Sequence, residues 1–183
     1  MIETLANLIA YVESNNNQFS MRFEEKYFQR KLDVAILHKI KMFNICSFST
    51  AKMIASTSWG AYQIMGINLY SVCGFSDEIG KYLCDVSLQY ESFVNFIRAR
   101  VFKKDTISSC YSVLKELKQI KEFWNNVNGK YGYKLEKLKE YLSYNRENFH
   151  NLEKFILRYN GARFLSTSFL DYLLRLLYHL DKI

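Results

Sequence analysis

Residues 77–101, DEIGKYLCDVSLQYESFVNFIRARV, set Leu83, Val86, Tyr90, Phe93, Val94 and Ile97 at helical spacing. That spacing predicts a long helix over about 77–101, its apolar stripe packed into a core rather than against a ligand. It is the candidate central helix of the domain. The same periodicity reaches outward in both directions. Upstream it predicts a helix from about Glu3 to Ser14, with Leu5, Leu8, Ile9 and Val12 on one face, and a shorter one carrying Val34, Ile36, Leu37, Ile40 and Phe43. Downstream it predicts helices over Ile107–Val127, Lys134–Tyr144, Leu152–Tyr159 and Phe169–Leu180. Asn15-Asn16-Asn17 reads as a polar break, and Lys103-Lys104-Asp105 as the end of the central helix. The Ser- and Thr-rich run Cys46–Thr57 reads as a loop. Phe23, Tyr27 and Phe28 are expected to anchor in the core, and Ser58 to cap a helix starting within Ser58–Met65.

Composition points the same way. The 183 residues include no proline and only 7 glycines, which favours long helices and short polar loops over a sandwich or barrel. With 49% hydrophobic and 16% aromatic residues, the chain can bury a substantial core and is not disordered. No repeat, low-complexity tract or linker interrupts it. An all-α fold in a single domain over residues 1–183 is expected.

The net charge of +7, from 25 basic and 18 acidic residues, attracts polyanions such as nucleic acid, anionic membranes or the acidic bacterial wall. Its lysines are interleaved with glutamates: Lys115, Lys118, Lys121, Lys134, Lys137 and Lys139 stand among Glu116, Glu122, Glu136 and Glu140. Such interleaving marks solvated helix faces, and no arginine-rich or recognition-helix pattern points to nucleic acid. Cys46, Cys73, Cys84 and Cys110 form no C-x-x-C pair and lie far from His38, His150 and His179, so neither a metal site nor a disulfide framework is expected. No cofactor is expected either. Met1-Ile2-Glu3 lacks a basic leader region, and no stretch reaches the ~18 apolar residues of a membrane span. The expectation is a monomer made and held in the cytoplasm, without stable membrane insertion, and carried by another system to any target outside.

Three polar signatures stand out. Leu5–Ser14 ends in Glu13-Ser14; Ser58-Trp59-Gly60-Ala61-Tyr62-Gln63 follows; Tyr159-Asn160-Gly161 comes last. Cleaving a glycosidic bond needs a proton donor at the leaving oxygen, and a glutamate serves at neutral pH when an apolar pocket raises its pKa. Glu13, behind Tyr11 and Val12 at the negative end of a helix dipole, is placed for such a shift. A plain solvated helix end is the competing reading of that residue. Gly60 permits close approach by a bulky ligand, and Gln63 offers a donor and an acceptor to sugar hydroxyl or N-acetyl groups.

Val12-Glu13-Ser14, Phe23-Glu24, Ser56 to Asn68, Phe93 to Ile97 and Tyr159-Asn160-Gly161 stand in an order that resembles the N-acetylmuramidase family of phage-type endolysins. That family is related to goose-type lysozymes and lytic transglycosylases. The resemblance implies a lysozyme-like, two-lobed helical domain with a substrate cleft, acting as a glycoside hydrolase on peptidoglycan glycan strands. It implies hydrolysis of the β-1,4 bond between N-acetylmuramic acid and N-acetylglucosamine, with Glu13 as general acid and Glu24 as the second carboxylate. Ser58, Gly60 and Gln63 would line the cleft, and Tyr159 and Asn160 would face the acid from its far wall. A lytic transglycosylase leaving 1,6-anhydro ends is the alternative chemistry; a wall-binding module without activity or a basic helical adaptor is the alternative class. Two departures from the family pattern are present: the stretch from about Phe102 to Asn151 is longer than usual, and Ala162 stands where proline often follows Tyr-Asn-Gly.

Overall fold

The computed structural model describes residues 1–103 and 105–183; Lys104, read above as part of a helix break, lies outside them. Among the described residues helices account for 71%, with one small sheet, so the α-rich, lysozyme-like class expected from the sequence holds. The chain divides into two compact units, one formed by Ile9–Ala99 and the other by Met1–Leu8 with Arg100–Ile183. Helix α1 (Ile2–Ser14) gives its first residues to the latter unit and its last to the former. Leu5, Leu8, Ile9 and Val12, the face read from the sequence, are buried.

The unit Ile9–Ala99 holds a three-stranded antiparallel sheet in the order β1 (Met21–Phe23), β2 (Thr57–Trp59), β3 (Ile64–Met65). The register pairs Arg22 with Ser58 and Ser58 with Met65. Around it lie α2 (Glu25–Phe28), α3 (Val34–Asn44), α4 (Phe48–Ala55), α5 (Gly66–Ser71), α6 (Ile79–Cys84) and α7 (Val86–Phe96). Short polar side chains start the helices that sequence periodicity alone does not bound. The Asp33 carboxylate accepts from Ala35 N at 2.8 Å, Ser47 Oγ from Thr50 N at 3.1 Å, and Asp85 from Ser87 N at 2.8 Å. Helices α3, α4 and α5 pack on one another through Leu37, Ile40, Ala51, Ala55 and Leu69. Gly66 is required there: a side chain at this position would collide with the Ile54 carbonyl, which already accepts the Trp59 indole N–H at 2.9 Å.

Four expectations are corrected in this unit. The stripe over 77–101 is not one helix; Asp85, extended at ψ 104°, ends α6 and caps α7, and a π-helical turn follows over Ile97–Phe102. Cys46–Thr57 is not a loop, because Ser47 caps α4 within it. Ser58 caps nothing, being the middle residue of β2; the next helix starts at Gly66. Phe23 and Tyr27 are not core anchors, at 48% and 37% exposure: Phe23 lies on β1, an edge strand open to solvent, and Tyr27 on α2, which buries no residue.

The second unit is built on α8 (Thr106–Asn126), α9 (Tyr131–Tyr144), α10 (His150–Tyr159) and α11 (Thr167–His179). Val113, Leu117 and Ile120 from α8 are buried along with Leu138, Leu142, Phe155, Leu173 and Leu176. Helix α10 starts after Phe149, whose side chain cannot cap it. Glu116 of α8 does so instead, accepting Leu152 N at 2.7 Å and Asn151 Nδ2 at 2.9 Å. Lys121 closes the end of α11, donating to the Leu177 carbonyl at 2.7 Å and pairing with Asp181 at 2.8 Å. Among the described residues no helix is long and apolar enough to cross a membrane.

Candidate active site

Helix α1 stops at Ser14 because Asn15 and Asn16 both turn left-handed, with φ 55° and 61°. Ser14 then ties the helix end to the sheet. Its hydroxyl shares one proton between the Ala10 carbonyl at 3.1 Å and the Ala61 carbonyl at 2.9 Å, and it accepts Asn17 N at 3.0 Å. Glu13, half-buried, is therefore carried on backbone fixed against the turn 60–63 that joins β2 to β3.

That turn is held from all sides by buried hydrogen bonds. Ala61 N donates to Gln89 Oε1 at 2.8 Å, so serine and glutamine side chains engage both backbone groups of one alanine. The Gln89 amide nitrogen donates to the carbonyls of Gln18 and Tyr82, each at 3.0 Å. Gly60 N donates to the Ser20 carbonyl at 2.8 Å, and Gln63 Nε2 reaches the same carbonyl at 3.2 Å and that of Gly60 at 3.0 Å. The loop 15–20, the turn 60–63 and the first turn of α7 are joined in one hydrogen-bonded assembly. Gln63 takes φ 49°, and its amide nitrogen faces inward, toward the carbonyls of Ser20 and Gly60. Gly60, at φ 75°, makes room for Gln89: a Cβ there would lie 2.6 Å from Gln89 Oε1.

Glu24 follows β1 directly, and its N–H extends the ladder to the Ser56 carbonyl at 2.9 Å. Its carboxylate pairs with Arg22 Nε at 2.6 Å and stays partly open to solvent. Ser58, between Arg22 and Met65 in the sheet, is 2% exposed. Tyr62, beside Ala61, stacks on Phe93 with centroids 4.6 Å apart; burial pushes its hydroxyl pKa up to about 12, which keeps it protonated.

Glu13, Glu24, Ser58, Gly60 and Gln63 thus all belong to the unit Ile9–Ala99. Tyr159 and Asn160 belong to the other unit, at the end of α10, where Asn160 N donates to the Ile156 carbonyl at 2.9 Å and Tyr159 stacks on Phe155 at 5.4 Å. Sequence reasoning missed Gln89, Ser14 and Tyr62 as site builders. Gln89 left a signal, a lone amide on the face of α7 that also carries the buried Ser92, Phe93 and Phe96.

Burial raises the thiol pKa of Cys73 to about 12 and of Cys110 to about 11, so neither is an activated nucleophile, and all four cysteines are free thiols. Among the described residues no three or more His, Cys, Asp or Glu side chains are grouped to hold a metal.

A family model described as N-acetylmuramidase matches residues 41–179. That range includes Ser58, Gly60, Gln63, Tyr159 and Asn160, and begins after Glu13 and Glu24. An endolysin of Enterobacteria phage PRD1 is 39% identical over 99 residues, which cover 51% of this chain and 66% of the endolysin. The chain therefore spans just under two thirds of that relative's length. No solved structure matches.

Proposed function

The chain belongs to the N-acetylmuramidase family, a family of glycoside hydrolases of peptidoglycan, and from that premise we propose that it cleaves the β-1,4 bond between N-acetylmuramic acid and N-acetylglucosamine with Glu13 as general acid. The carrying observation is the Ser14–Ala61 hydrogen bond of 2.9 Å, which fixes the backbone next to Glu13 against the turn bearing Gly60 and Gln63. A general acid acts only from a held position relative to the leaving oxygen, and this contact supplies the holding.

In this reading the Glu13 carboxyl gives its proton to the glycosidic oxygen as the bond to the anomeric carbon breaks. Glu24 takes a proton from the water that attacks that carbon; before the next turnover Glu24 gives that proton up to solvent and Glu13 takes one back. Gln63 Oε1 accepts from an N-acetyl N–H or a hydroxyl of the bound sugar. Ser58 supports the floor of the site from within the sheet. Glu13→Gln tests the assignment: wall clearing should fall by at least about a hundredfold, the lower end of what a general acid supplies. Full activity in this variant would overturn it.

One observation favours a second reading of the product-forming step. The Glu24 carboxylate is engaged by Arg22 at 2.6 Å, and if it does not serve a water, the substrate's own 6-hydroxyl attacks instead. Mass spectra of digested muropeptides separate the two, since reducing ends mark hydrolysis and 1,6-anhydro ends the transglycosylase.

A further inference from the structure

The second unit contains a cavity of about 670 Å³ between α8, α9 and the 3-10 turn Arg146–Phe149. One face of α8 forms its long side. Ser112, Gln119 and Asn126 follow each other at seven-residue intervals on that face, each pair about 10.5 Å apart along the axis, a spacing on the scale of a disaccharide. Asn148 adds a further amide from the opposite rim. None of these four side chains makes a hydrogen bond to the protein among the described residues.

The inner wall is aromatic. Phe123 and Tyr141 stack at 3.9 Å with an interplanar angle of 5°, and Tyr141 rests against Phe149 at 5.6 Å. Charge is nearly balanced. Lys115 and Glu122 lie at the rim, and the third charged residue, Glu116, directs both oxygens to the start of α10. A site for a polyanion would carry a cationic surplus, and this one has none. Neutral amides and a hydroxyl beside an aromatic wall match a polyhydroxylated, N-acetylated ring, which offers hydroxyl and amide groups at its edge and C–H groups on its face.

We propose that this groove is a second saccharide site, which holds an N-acetylated amino-sugar segment of a wall glycan and takes no part in bond cleavage. The choice of amino sugar rests on the muramidase reading; the groove and its neutral chemistry do not. The test is an NMR titration of the full chain carrying Glu13→Gln with the β-1,4-linked tetramer of N-acetylglucosamine. Saturable shifts are expected at backbone amides within 112–126 and 141–149. The exposed triple variant Gln119→Ala, Asn126→Ala, Asn148→Ala should keep the thermal midpoint and weaken those shifts by about tenfold or more, as expected for losing three modest hydrogen bonds. No shift in these segments at millimolar saccharide, or undiminished binding by the triple variant, would overturn the proposal. Shifts here with none at 60–63 would keep this site and count against the catalytic reading; the reverse pattern would do the opposite. If Glu13→Gln does not fold, the native chain titrated with monomeric N-acetylglucosamine, which has no bond to cleave, gives the same answer.

Discussion

Gly60 and Ser14 are the residues on which the proposed site turns. At Gly60 the backbone is left-handed, and a methyl group would press on Gln89 Oε1 at 2.6 Å and on the Tyr82 ring at 3.0 Å. Gly60→Ala should therefore cost about 1 to 3 kcal/mol in strain alone, a drop of several degrees in thermal midpoint for a chain of this size, readable by calorimetry. Ser14→Ala removes the clamp without touching a carboxylate. It should cost about 1 to 3 kcal/mol, because the buried Ala61 carbonyl loses its partner. It should also lower kcat roughly tenfold to a hundredfold with little change in KM, as expected when an acid is mispositioned rather than removed. The sequence showed that Gly60 and Gln63 are unusual but not why: the group filling the space over Gly60 comes from Gln89, brought there only by the fold.

Helices show where a capping side chain can come from a distant segment. Helix α10 is started by Glu116, thirty-five residues upstream of the Asn151 it contacts. Burial moves the Glu116 pKa above the usual carboxylate value, against the opposing pull of its hydrogen bonds from Asn151 and Leu152. A raised folded-state pKa means stability that is present in acid and lost as pH rises through the folded value. The thermal midpoint of Glu116→Gln, which cannot ionise, should thus gain on the native chain between about pH 4 and pH 7, where carboxylates ionise. Parallel midpoints across that range would contradict it.

The long helices α1, α8 and α11 were legible because each keeps 3.6-residue spacing for three or more turns. The break at Asp85 was not, since the apolar stripe resumes in phase beyond it; the cue was an aspartate two residues before Ser87. The sheet was illegible for another reason. Strands of three, three and two residues are too short for alternation to register, so Ser58 read as a cap when it pairs with Arg22 and Met65.

The whole molecule carries +7 on a surface of interleaved charges. A general positive field speeds encounter with an anionic wall and is screened once the Debye length falls to about 10 Å, near 0.1 M salt. Clearing of intact walls should therefore slow with added salt, while turnover of short uncharged oligosaccharides stays flat; equal salt dependence for both would remove the role given to charge.

Glu13, held on Ser14 against the turn 60–63, is proposed as the proton donor of a muramidase. Turbidity clearing of purified peptidoglycan by Glu13→Gln tests it most directly, with the thermal midpoint measured on the same sample. The expected result is a loss of at least about a hundredfold at an unchanged midpoint. Clearing at the native rate by the folded variant would contradict it.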